Sequence, residues 1–289
     1  MGLRRADLRE LRSVYYRRPT DWGFHDDLPA EVREWASGQA RFGVGGVLRS
    51  LPCLWVNHPT RIAAADYKPV QLQVAAECGL HVPPTLVTND PQRVGVFAGH
   101  VGGRIITKPL MGKITDGDGE LAGFLYTHLV SEDRLADPGI AGTAHLFQQW
   151  VDKAYEIRLT VVGNRMFAAE IHAVSEAGRV DWRADGDVQY APTETPAAIQ
   201  AAVRRLVDRL GLAFAALDFI VTPTGAWVFL EANPNGQWGF VELATGQPIS
   251  ERSQSFCRKD TRVDRGDHQR HPASRRVEGE DGRRPGRKR

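Results

Sequence analysis

Three cysteines in 289 residues, Cys53, Cys78 and Cys257, share no zinc-ligand or redox-motif spacing. Their odd number and scatter argue against a disulfide framework, and each reads as a small packing residue. Long apolar runs are also missing. No stretch approaches the length that spans a bilayer, and residues 1–19 are Arg-rich without the apolar centre of a signal peptide. A cytoplasmic protein without a membrane partner is expected. There is no Walker-type phosphate loop, no internal repeat and no Ser-His-Asp or Cys-His arrangement. The nine histidines have no metal-ligand spacing, and only His172, near a predicted hairpin end, stands close to anything of chemical interest. Chemistry that needs an enzyme nucleophile is therefore not expected.

An excess of one charge is missing overall but present locally. The net charge is +2, from 37 basic and 35 acidic residues, yet residues 251–289 hold 13 Lys/Arg and 7 Asp/Glu, leaving 24 basic and 28 acidic residues upstream. Apolar residues in that segment are limited to Phe256, Cys257, Val263, Ala273 and Val277. So little apolar surface cannot offset the entropy of ordering, and residues 251–289 are expected to form a disordered basic tail. A solvated tail is the better reading than a nucleic-acid contact, and no specific nucleic-acid partner is expected.

Elsewhere the chain has ample length for a core. Short strands are predicted at 13–16 and 53–56, with a helix over 30–40. A helix carrying Val70, Val74 and Cys78 on one stripe starts near Pro69 and ends at Gly79. Strands are predicted at 85–88 and 104–108, then a Gly-bearing loop over 111–119 and a short strand or linker at 146–151. Residues 157–162 and 166–171 alternate around Gly163-Asn164, a hairpin signal. Ile199, Val203, Leu206, Val207 and Leu210 recur at helical spacing before Gly211. A second hairpin joins 215–221 to 226–232.

That second hairpin ends in Glu231-Ala232-Asn233-Pro234-Asn235-Gly236. Side chains at i and i+2 of a strand share a face, so Glu231 and Asn233 point the same way. The bland reading is a strand end in solvent followed by an ordinary turn. With a two-residue loop at Pro223-Thr224, however, Asp218 faces position 229 and shares that face, one diagonal step from Glu231. Two carboxylates with no Lys or Arg between them on that face repel unless a cation sits there. Hard oxygen donors suit magnesium or manganese rather than zinc. Lys68 and Lys108 are ambiguous taken singly, since a lysine ending an apolar strand often snorkels to water.

In sequence these pieces resemble the ATP-grasp fold, an α+β architecture in which two subdomains clasp ATP. The resemblance runs from about residue 61 to 250. A closer one, to the ATP-grasp ribosomal peptide maturases that cyclise microviridin-like graspetide precursors, rests on SVYYRRP (13–19), LFQQWVDKAYEIRLTVVG (146–163), VDWR (180–183), LGLAFAALDFIVTPTG (210–225) and FLEANPNGQW (229–238). It implies a partial pre-ATP-grasp region over 1–60, an N-terminal subdomain over 61–145 and a C-terminal subdomain over 146–250. It further implies that Lys68 and Lys108 hold ATP phosphates, that Gln148, Gln149, Trp150 and Val151 form the hinge against adenine, and that Glu156 takes the ribose. Arg158 would meet the γ-phosphate or acyl phosphate, and Asp218, Glu231 and Asn233 would hold Mg2+ or Mn2+. Gln149 stands where an acidic hinge residue is common in the family.

The chemistry implied is ADP-forming activation of a peptide's Asp or Glu side chain as an acyl phosphate, followed by capture by a hydroxyl or amine of the same peptide. Asp181-Trp182-Arg183 reads either as a turn with an exposed aromatic or as a grip on the substrate carboxylate, since Arg binds carboxylates bidentately. The partner implied is a precursor peptide with a leader, for which residues 104–130 offer an edge; a homodimer is compatible with the same resemblance. Two other readings remain open. One is an amino-acid or glutamyl ligase of the RimK-like or glutathione synthetase-like kind, acting on a free amine. The other is a nucleotide-binding module without catalysis.

Overall fold

Before residue 60 few of the described residues are buried, Gly45, Val56 and Asn57 among them. The computed structural model describes residues 7–20, 22–25, 27–111, 113–115 and 121–258, all within the unit Met1–Lys259. Strand β1 (Ser13–Tyr15) pairs in parallel with β2 (Leu54–Val56), and α1 (Ala30–Arg49) connects them. Helix α1 runs nine residues beyond the expected end at Ala40 and buries only Gly45. Helices α2 (Pro59–Ala65) and α3 (Lys68–Glu77) each open with a proline in the first turn, where its missing N–H costs nothing. The buried face of α3 is Gln71, Leu72 and Ala75; of the expected stripe Val74 and Cys78 do reach the core, but Val70 is exposed. The helix turns this way because the Gln71 amide bonds to the edge of a strand, as described below.

The next strands and helix are β3 (Thr85–Thr88), α4 (Pro91–His100), β4 (Ile105–Lys108), β5 (Lys113–Thr115), β6 (Leu121–Phe124), β7 (His128–Leu129) and β8 (His145–Gln149). Four of them form an antiparallel sheet in the order β3-β8-β4-β7. Val94 and Ala98 of α4 pack on Ile105, Ile140 and Phe147 beneath it. The predicted loop over 111–119 instead holds β5, paired with β6; residues 112 and 116–120 lie outside the described residues.

The larger sheet follows from β9 (Tyr155–Val162), β10 (Arg165–Ala173), α5 (Glu176–Val180), β11 (Val188–Thr193), α6 (Ala197–Leu210), β12 (Phe214–Val221) and β13 (Trp227–Asn233), with strand order β11-β10-β9-β12-β13. Gly163 takes φ +58° at the first hairpin turn, and Gly211 takes φ +66° to end α6. Val203, Leu206, Val207 and Leu210 of α6 cover one face of the sheet, together with Leu72 and Ala75. The other face carries α7 (Gly239–Thr245) and α8 (Ile249–Arg258) over Val162, Phe167, Phe214 and Val56.

Helix α8 corrects the expected boundary of the tail. Residues 251–258 are helical, and Phe256 and Cys257 pack against that second core. The segment's average composition is polar, but two of its five apolar residues fall at its start and find a surface. Residues 259–289 lie outside the described residues. No helix among the described residues is long and apolar enough to cross a membrane.

Candidate nucleotide and cation site between the two sheets

The predicted convergence at the β12–β13 hairpin is present, with a different register. Val221 faces Trp227 and Phe219 faces Phe229; a bulge between Asp218 and Phe219 then sets Asp218 directly opposite Glu231, and Ala216 opposite Asn233. The turn shifts the pairing by one residue and the bulge, absorbed at Leu230, by one more. Two single shifts preserve the face, so the acids converge as expected although the pairing differs.

Two buried amides from outside the sheet hold this strand end. Gln71 accepts from the Ala232 N–H (2.9 Å) and donates to the Ala232 (2.7 Å) and Ala65 (2.5 Å) carbonyls, so its side chain pairs with the strand as a neighbouring backbone would. Asn57 accepts from Ala213 N and Phe214 N and donates to the Phe214 (2.7 Å) and Pro234 (2.8 Å) carbonyls. Neither residue was among those singled out from the sequence. Asn233 Oδ1 accepts from the Asn235 N–H at 3.0 Å, so the turn reading of Pro-Asn-Gly also holds.

The two acids are not without bases, as the hairpin alone would imply. Strand β9 lies on the other side of β12 and sets Arg158 directly opposite Asp218. Arg158 Nε is 3.1 Å from Asp218 Oδ1, at an angle that leaves both buried atoms without a hydrogen bond. Arg183 donates to Asp218 Oδ2 (3.1 Å) and Asp181 Oδ1 (3.1 Å), and its Nη2 is 3.9 Å from Glu231 Oε1. Lys68, at the start of α3, pairs with Glu231 Oε2. The acids are thus met by basic residues from three other elements.

These neighbours drive the two facing carboxylates apart. Burial raises the Asp218 pKa, against the pull of Arg158 and Arg183. Burial also works to raise Glu231, but Lys68, Lys108 and Arg183 outweigh it and hold that carboxyl well below the usual range. Burial opposes the charge on Arg183, and Asp218 and Asp181 more than restore it. Asp181 ties the lobes together by accepting from the Thr127 N–H at 3.3 Å.

The opposite wall comes from the smaller sheet. Lys108 ends β4, and burial lowers its pKa. Gln148, Gln149, Trp150 and Val151 line the cleft with Pro83, Ile106, Ile220 and Leu230. Gln148 Nε2 donates to Thr85 Oγ1 at 2.9 Å while its buried Oε1 has no partner. Gln149 N bonds to Pro84 O and Trp150 N to Arg104 O, both at 3.0 Å. Trp150 also stacks under Arg104, 4.7 Å from ring centre to guanidinium. Glu156 is buried in the same cleft, its pKa raised by burial, and it pairs with Lys153, a partner the sequence did not suggest. An adjoining cavity of about 460 Å³ is lined by Lys68, Lys108, Tyr126, Asp181, Arg183, Glu231 and Asn233.

Every candidate residue except Arg158 lines one of these two spaces. Arg158 lies beneath Asp218, with its guanidinium about 6 Å from the rings of Trp182 (6.0 Å) and Phe240 (5.8 Å). His172 pairs with Glu170 at 2.9 Å and lines neither space. Among the described residues no three His, Cys, Asp or Glu side chains gather at one point. A divalent ion held here would rest on two carboxylates and an amide. That donor set suits a hard cation, and Asp218 Oδ1, which accepts no hydrogen bond, is an acceptor of the right kind.

No protein-family model matches the sequence, and no curated protein does. Solved structures do. Macrocyclase MdnC from Microcystis aeruginosa MRC, bound with precursor peptide MdnA, is 30% identical at a TM-score of 0.76, over 89% of this chain and 81% of that one. Macrocyclase MdnB from the same organism is 31% identical at a TM-score of 0.70, over 87% and 78%. A Chryseobacterium gregarium RiPP-associated ATP-grasp ligase, in complex with ADP and a leader and core peptide, is 29% identical at a TM-score of 0.76, over 86% and 75%. A cleft between two sheets, with Lys108 on one wall and paired acids on the other, agrees with that likeness, and this chain belongs to the ATP-grasp macrocyclases of ribosomal peptide maturation.

Proposed function

We propose that this chain is an ADP-forming ligase that closes ester or amide bonds within a ribosomal precursor peptide. The observation that carries the reading is Arg183, set where the two spaces meet and flanked by Asp181, Asp218 and Glu231. ATP would lie with its adenine against residues 148–151. There the Val151 N–H bonds to nothing among the described residues, and Gln148 Oε1 awaits a donor. Glu156 would take the ribose, and Lys108 and Lys68 the phosphates. Asp218, Glu231 and Asn233 would hold Mg2+, with Mn2+ as a substitute; the bound cation supplies charge neutralisation on the transferring phosphoryl group.

A peptide carboxylate gripped by Arg183 attacks the γ-phosphorus, and ADP leaves. A hydroxyl or amine of the same peptide then attacks the acyl carbon, losing its proton as phosphate departs, so the peptide is lighter by one water. Positioning does most of this work, because no enzyme nucleophile is needed. Arg158 contributes by fixing Asp218, and it reaches a phosphate only by leaving that contact. Strand β7 is at an edge of the smaller sheet and exposed, and it offers an unpaired backbone for the leader. A homodimer is checked by sedimentation.

Co-expression with a precursor carrying Thr/Ser and Asp/Glu repeats, followed by intact-peptide mass measurement, tests the reading. One water lost per bond, with ADP and phosphate formed, is expected. AMP as product would overturn it. So would a gain in mass from an added amino acid, the outcome expected of a free-amine ligase.

A further inference from the structure

Arg183 is held in a geometry at odds with a resting substrate-binding group. Its two terminal nitrogens are both engaged by the protein's own acids, Nη1 with Asp181 and Nη2 with Asp218, and Glu231 stands 3.9 Å away. Lys68 closes the other oxygen of Glu231. A guanidinium with both ends engaged has little left to offer a peptide carboxylate, and a carboxylate pair already neutralised has less to offer a cation. The same acids cannot hold both at full strength.

We propose that Arg183 and Lys68 are internal counter-ions that stand in for the divalent cation in the free protein, and that cation binding releases Arg183 toward the peptide. The inference rests on the metal and carboxylate roles proposed above and adds an order to them. Nucleotide with its cation enters first, and the peptide carboxylate meets a freed guanidinium second. Asp181 is the tether that makes the exchange local: it has a partner on each side, Thr127 N and Arg183, so Arg183 can leave Asp218 without leaving the cleft. Arg158 lacks this freedom. It is buried, its strand is paired with that of Asp218, and two aromatic rings lie about 6 Å from its guanidinium (6.0 and 5.8 Å). The exchange also gives a reason for arginine at 183, because a planar fork holds two acids at once where a lysine holds one.

The test measures Mn2+ affinity of the full chain without nucleotide, by the paramagnetic signal of free Mn2+, so no turnover is involved. Arg183→Gln is expected to tighten Mn2+ binding by about tenfold or more, since it removes a charge in direct contact with the cation's acids. Arg179→Gln removes an equal charge that lines the same cleft but pairs with neither Asp218 nor Glu231; it is expected to change the affinity by less than about threefold. Arg183→Lys should fall between wild type and Arg183→Gln, and it replaces Gln as the deciding variant if Gln does not fold. Equal effects of the Arg179 and Arg183 substitutions, or no tightening in either Arg183 variant, would overturn the exchange. Mn2+-dependent ADP binding in the wild type separates the two readings. If it is absent, the proposed function fails; if it is present without the Arg183 effect, only the exchange fails.

Discussion

The two sheets that wall the cleft carry charge in opposite ways. On the five-stranded sheet, acids and bases answer one another: Asp218 with Arg158 and Arg183, Glu231 with Lys68, Glu156 with Lys153. On the four-stranded sheet, Lys108 forms no ion pair among the described residues and Gln148 Oε1 is buried without a donor. Buried polar groups left unmatched cost stability, and a site tolerates them where a ligand completes them. The larger sheet thus carries its charges mostly as ion pairs, although Arg158 Nε and Asp218 Oδ1 make no hydrogen bond, whereas Lys108 on the smaller one has no carboxylate within ion-pair distance among the described residues. Substitutions on the two walls should differ accordingly.

The largest effect is expected on the matched wall. Glu231→Gln is isosteric and keeps the fold, but it takes an oxygen charge from the proposed cation site and leaves Lys68 unpaired. Cation-dependent ADP formation should fall on the order of 10³-fold; near-wild-type turnover would remove Glu231 from the metal set. The pH response has a definite sign. The Glu231 pKa is lowered on folding from the usual 4.5. Its contribution is thus complete above about pH 4.5 and is lost as pH falls toward its folded value. Acid unfolding of Glu231→Gln should lack that component.

On the unmatched wall, Lys108→Met should weaken ATP binding by about 10²-fold while leaving the empty protein as stable or more so. Burial lowers the pKa of Lys108 from 10.5, so the unfolded chain binds this proton more tightly. Wild type should gain stability relative to Lys108→Met as pH rises toward 10.5. Thermal unfolding at about pH 8 and about pH 10 checks the direction. A Lys108 variant that unfolds easily would erase the contrast between the walls.

The braces behind the hairpin give an intermediate effect. Asn57→Ala strips four hydrogen bonds from Ala213, Phe214 and Pro234, and should cost about 3 kcal/mol, or about 6–12 °C in Tm. Gln71→Ala should cost about 2 kcal/mol, because Ala232 loses both its edge partners. Calorimetry of the empty protein measures both.

What could be read from the sequence divides along sequence distance. The β9–β10 and β12–β13 hairpins, helix α6 with its Gly211 stop, and the face shared by Asp218 and Glu231 all depend on residues close along the chain. Arg158 opposite Asp218 depends on β9 pairing with β12, sixty residues away, which no local period announces. Asn57 and Gln71 act across 156 residues or more, through amides that look like any surface amide in sequence. Hence the converging acids were legible and their counter-ions were not. The α3 stripe was right at Val74 and Cys78 and wrong at Val70 for a related reason: periodicity counts Gln71 as polar and turns it outward, whereas a strand edge recruits it inward.

The smallest effect concerns the chain's end and the contrast between composition and position. Residues 251–289 are basic and poor in apolar residues taken together, yet Phe256 lies against Gly163, where even a Cβ would come within 2.4 Å of the ring. Arg252 donates to Asn164 at 2.7 Å beside it. Truncation after Ser255 should therefore lose the packing of Phe256 on the β9–β10 turn, about 1–2 kcal/mol by the apolar area removed. Truncation after Arg258 keeps α8 whole and should change stability by less than about 0.5 kcal/mol. ADP affinity should be unchanged in both, because α8 packs on the sheet face that carries α7, and its residues line neither space of the cleft. Equal Tm values for the two truncations would show that Phe256 contributes nothing. A loss of ADP affinity on removing residues 259–289 would show that the basic segment reaches the nucleotide, and the contrast between the two walls would then need a third contributor.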